Sequence, residues 1–60
     1  MATNREKTRM LNTMRALTAR GITDQAQLVD TAAQVIGGDD AALMDAQRVF
    51  DAHFKIHGGG

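Results

Sequence analysis

The stretch Leu28-Val29-Asp30-Thr31-Ala32-Ala33-Gln34-Val35-Ile36-Gly37-Gly38-Asp39-Asp40 decides the fold of this chain. Leu28, Val29, Ala32, Val35 and Ile36 fall at i, i+1, i+4, i+7 and i+8, which lines one face of a helix and no single face of a strand. Gly37 and Gly38 end that period, because glycine weakens a helix and accepts the left-handed backbone that closes one. Asp39 and Asp40 follow at once. An aspartate oxygen accepts from the unpaired N–H groups of a first turn, and its charge suits the positive end of the helix dipole. One helix, its stop and the start of the next are therefore written side by side.

Upstream of this stretch, Ile22 leads into Thr23, a good N-cap residue, with Asp24 in the first turn, which predicts a helix near 24–36. Earlier still, Thr3-Asn4-Arg5-Glu6 matches a capping box, in which Thr and Glu satisfy each other's backbone N–H groups. Met10, Met14 and Leu17 then recur at helical spacing with Leu11 at one margin, and Gly21 is placed to close a helix near 4–20. Downstream, Ala42, Leu43, Ala46, Val49, Phe50, His53, Phe54 and Ile56 share one broad face, which predicts a third helix near 40–56. Gly58-Gly59-Gly60 reads as a flexible tail on a single helical domain of residues 1–57.

The connections at 20–23 and 37–39 are short, so neighbouring helices should pack antiparallel as a small all-α three-helix bundle. Leu17, Leu28, Val29, Ala32, Val35, Ile36, Ala46 and Phe50 are expected at its centre. Composition agrees: proline is absent, aromatic residues are few and alanine is abundant. A domain of 60 residues buries only about 60% of its unfolded surface and is marginal alone. Met10, Leu11, Met14 and Met44 exceed what so small a bundle needs to bury, which points to self-association as a homodimer or to a tight partner complex.

Several classes of activity lose their chemistry at this stage. No cysteine is present, so no thiolate nucleophile or Cys-based metal site exists, and cytoplasmic residence is the expectation. Serine is absent too, which removes a Ser-His-Asp arrangement, and no threonine has an evident activating base. No glycine-rich phosphate loop leads into a helix with a suitably placed lysine. His53 and His57 stand one helical turn apart, but zinc takes three or four ligands and no third histidine is available. Asp39-Asp40 is explained by helix capping. No apolar run approaches the ~20 residues of a membrane span, and positions 3 to 9 are too polar for a secretory signal. The expectation is a non-enzymatic protein with no metal, no cofactor, no membrane partner and no small-molecule substrate.

Charge is what remains. Residues 1–20 carry Arg5, Lys7, Arg9, Arg15 and Arg20 against Glu6 alone, a balance of +4. Residues 21–60 carry Arg48 and Lys55 against six aspartates, a balance of −4, so the neutral total hides a basic first helix. On a helical wheel Arg5, Arg9 and Arg20 fall opposite Met10, Met14 and Leu17, with Asn12, Thr13 and Ala16 completing the outer face. Arginine forks match carboxylate and phosphate geometry alike. The expected binding surface comprises Arg5, Arg9, Asn12, Thr13 and Arg20, with Met10, Leu11 and Met14 as its apolar margin. A protein partner is the first expectation.

Nucleic acid is the alternative partner of the same arginines. Leu17-Thr18-Ala19-Arg20-Gly21-Ile22-Thr23, followed by Leu28, resembles the turn of a helix-turn-helix motif, over about a dozen positions. That resemblance implies a small regulator whose second helix reads DNA. The residues depart from it where it matters: the helix after the turn carries Asp24 and Asp30 and no Lys or Arg, although it would approach a polyanion. A ribbon-helix-helix dimer needs an N-terminal strand, and only Met1-Ala2-Thr3 precede the expected first helix.

Overall fold

Thr3 accepts from the backbone N–H of Glu6 while the Glu6 carboxylate accepts from that of Thr3, closing the capping box at 3.1 and 2.9 Å. Helix α1 (Asn4–Ala19) starts there. It ends in a pair of bonds from Gly21 N–H to the Thr18 carbonyl and from Ile22 N–H to the Leu17 carbonyl, each at 3.0 Å. This is a Schellman closure, and it needs a positive φ at Gly21, which has +92°. Leu17 and Ile22 both pack against the core beneath it.

Asp24, not Thr23, caps helix α2 (Gln25–Gln34): its carboxylate accepts from the Gln27 N–H at 3.2 Å. This corrects the expected cap by one residue. The helix also stops before Ile36, because the last turn tightens. Val35 and Ile36 N–H groups bond three residues back, and Gly38 N–H returns to the Ala33 carbonyl at 2.9 Å. Asp39 accepts from the Ala42 N–H at 2.8 Å and starts helix α3 (Asp40–His53), as expected. Phe54 caps it, so the expected helix to 56 is shorter by at least that residue; Ile56 and the glycine tail lie outside the described residues.

The computed structural model describes residues 2–54, and every pair of the three helices is in contact, as a three-helix bundle. Each helix buries one side against a single cluster and keeps a face to solvent, so the core is about one layer of side chains thick. Met10 and Met14 are wholly enclosed and are the largest such side chains. Around them stand Leu28, Val29, Ala32 and Ala33 from α2 and Ala42, Ala46 and Val49 from α3. Leu17, Val35, Ile36 and Phe50, expected at the centre, are only partly buried and pack against this cluster. Phe50 stacks on Phe54 at 5.6 Å, at the margin of the bundle and not in its middle.

The methionines thus reverse their expected role. Met10 and Met14 are core, not surplus, and of the four apolar residues that argued for self-association only Met44 is strongly exposed, at 60%. Met14→Ala should cost about 2–5 kcal/mol. A domain of this size has ~3–9 kcal/mol to lose, so chemical denaturation should show a large drop in midpoint. Met44→Ala should change it by less than ~0.5 kcal/mol. Gly21→Ala should cost about 1–2 kcal/mol from backbone strain alone, since nothing lies within 4 Å of a Cβ there. D-alanine at that position, in a synthetic chain, should restore the midpoint.

Candidate partner-binding surface

Fixing Met10 and Met14 inward fixes what α1 turns outward. Arg5, Arg9 and Asn12 follow one another at i, i+4 and i+7 on the exposed side, and Arg20 is exposed at the C-cap. These four stand where the sequence places them. Thr13 is half-buried, and its hydroxyl donates to the Arg9 carbonyl at 2.8 Å. Thr8 and Thr18 make the same bond to Asn4 and Met14, so all three hydroxyls of this helix are spent on its own backbone. The side-chain hydrogen bonds among the described residues involve threonines, carboxylates and Gln47, which leaves the arginine forks to solvent or a partner.

Met10 and Met14 cannot belong to a binding surface of the folded chain, because both are at 0% exposure. Sequence periodicity puts them on the apolar side but cannot tell an apolar margin from a core. Leu11 differs from them. It is half-buried and lines an open groove of about 490 Å³ between α1 and α3. From α1 the groove takes Lys7, Thr8 and Leu11; from α3 it takes Asp45, Arg48, Val49, Ala52 and His53. Leu11 and Ala52 supply apolar surface over the core residue Val49, which is only 6% exposed, and Lys7, Arg48 and His53 are exposed.

Sequence reasoning missed this groove. Its one local signal is the row Lys7, Leu11, Arg15 at i, i+4, i+8, in which an apolar residue sits between two cations. The other wall comes from α3, far away in the chain.

The carboxylates have other work. Glu6, Asp24 and Asp39 each accept a backbone N–H at a helix start, and Asp51 accepts from the Gln47 amide at 3.0 Å. Glu6, Asp39 and Asp45 border a second hollow of about 170 Å³, but capping already engages the first two. Among the described residues no group of three or more His, Asp or Glu side chains is gathered as a metal site would require. His57 lies outside the described residues. No helix among them is long and apolar enough to cross a membrane.

The helix after the Gly21 turn offers a polyanion little. Asp24 caps it, Asp30 is exposed on it, and Gln25–Gln34 contains no Lys or Arg.

Comparison of the chain with protein-family models, with characterised proteins and with solved structures finds no match.

If Asp39 is a cap and nothing more, Asp39→Asn should leave thermal stability nearly unchanged, since asparagine caps as well as aspartate. Asp39→Ala should cost about 1 kcal/mol in the same melt.

Proposed function

We propose that this protein is a non-enzymatic interaction module that presents the basic outer side of α1 to an acidic surface on a protein partner. The observation that carries the proposal is the position of Arg5. It occupies the first turn of α1, at the positive end of the helix dipole, where a cation is unfavourable by about 0.3–1 kcal/mol. It also stands one turn from Arg9, a like-charged i, i+4 pair that costs a few tenths more, about 0.2–0.5 kcal/mol. Arg20, at the C-cap, is where the dipole favours a cation, so local stability accounts for it. Nothing in the fold accounts for Arg5 and Arg9 side by side on an exposed face. A partner carboxylate does, because guanidinium forks pair with carboxylates in a bidentate fashion.

Phosphates would satisfy the same forks, and the acidic, cation-free α2 supports protein over nucleic acid.

The test separates stability from binding. Arg5→Glu should leave the melting temperature unchanged or slightly raised, because it relieves the dipole and turns a like-charged pair into an opposite one. Arg5→Glu with Arg9→Glu should retain helicity and abolish recovery of partners from an extract. Recovery should survive nuclease and fall gently with salt. A logarithmic salt slope of several units, at about 0.9 per duplex phosphate, together with loss on nuclease treatment, would assign the face to nucleic acid. Wild-type recovery by the double variant would leave the arginines as solvated surface.

A further inference from the structure

The groove between α1 and α3 adds an apolar element that the outer arginines lack. Its walls carry Lys7 from α1 and Arg48 from α3, with Leu11, Val49 and Ala52 between them. By register, Arg15 continues the α1 wall one turn beyond Leu11, and it is exposed. Asp45, half-buried, is the one acid in the lining. From Lys7 to Arg15 the wall runs eight residues, about 12 Å at helical rise, or two turns. We propose that this groove docks an amphipathic helical segment of a partner protein, with apolar anchors at i, i+4 and i+7 and carboxylates flanking them.

Three features select this occupant. Two helices side by side leave a furrow that another helix fills in a bundle, so the shape suits a helix laid along it. The apolar lining requires an apolar stripe, which a nucleic acid backbone does not offer. The cationic walls require acids at the edges of that stripe, and matching of opposite charge fixes register and excludes basic helices. A second copy of this chain fits less well. Among the described residues its one strongly exposed large apolar side chain is Met44, with Asp40 and Arg48 one turn away on either side. A single anchor falls short of the roughly 1,000 Å² or more that a stable interface buries.

This inference rests on the reading of the protein as an acidic-partner module, and the experiment separates the two. The full chain, labelled with ¹⁵N, is titrated with a 16-residue capped peptide bearing leucines at i, i+4 and i+7 and glutamates beside them. A companion peptide carries glutamine for each glutamate. The expected result is saturable amide shifts confined to residues 7–15 and 45–53, with at least about tenfold weaker binding of the glutamine peptide. Lys7→Glu with Arg48→Glu should abolish the shifts while leaving the melting temperature nearly unchanged, and Arg5→Glu with Arg9→Glu should preserve most of them.

Shifts confined to the Arg5, Arg9 and Asn12 side, lost only in the Arg5 and Arg9 variant, would overturn the groove and keep the basic face. Equal binding of both peptides, or no saturable shift, would also overturn it. So would dilution-dependent shifts at the groove without peptide that vanish in Met44→Gln, since they would assign the groove to a second copy.

Discussion

Two methionine side chains facing four alanines hold this bundle together. Met10 and Met14 fill the middle from α1, while Ala32, Ala33, Ala42 and Ala46 keep α2 and α3 short of bulk where they face it. A layer only one side chain thick has no second shell to correct a misfit, so shape must be matched within it. Unbranched, flexible methionine suits that task, because it follows an irregular space without a fixed branch point. The choice has a consequence on the far side of α1. Once these two side chains are committed inward, the helix has no rotational freedom left, and Arg5, Arg9 and Asn12 face solvent as a matter of geometry.

Local features were legible in the sequence, and distances were not. The capping box at Thr3, the left-handed turn at Gly21 and the Asp39 start each depend on residues within a few positions of one another, and all appear as read. Thr23 and Asp24 are equally competent caps in adjacent positions, and the backbone settles between them by one residue. Leu28, Val29, Ala32 and Ala46 stand at the core centre as expected, and the other four expected there were misplaced for a different reason. Periodicity gives the direction of a side chain but not its depth, so Phe50 and Leu17 point inward yet stop at the margin, while the methionines penetrate. The same blindness assigned Met10 and Met14 to a surface and passed over the α1–α3 groove, whose two walls lie more than thirty positions apart in the chain.

Opposite charges within one small molecule would be expected to pair, yet the two signs here occupy different structural roles. Three of the acids sit at helix starts, where each accepts a backbone N–H and meets a favourable dipole. Folding alone explains them. Arg20 at the C-cap of α1 follows the same logic, but Arg5 does not, since it stands in the first turn with Arg9 one turn on. Those three acids therefore stabilise the fold, and Arg5 and Arg9 are carried by it.

That asymmetry bears on how a partner meets the molecule. With a net charge of zero there is no overall attraction to an acidic protein, and a separated +4 and −4 acts chiefly as a dipole. A dipole orients before it attracts, and its field fades over a Debye length of about 8 Å at physiological salt. On the proposed reading an acidic segment is turned toward α1 only at close range, and an approach to the cation-free α2 is disfavoured. Affinity must then come from short-range contact, which exposed arginines supply poorly because surface ion pairs are worth about 0–1 kcal/mol each. The apolar strip of Leu11 and Ala52 above Val49, beside the basic side, is the part of the groove suited to supply it. On the proposed reading, charge chooses the side of approach and the furrow between α1 and α3 provides the apolar contact.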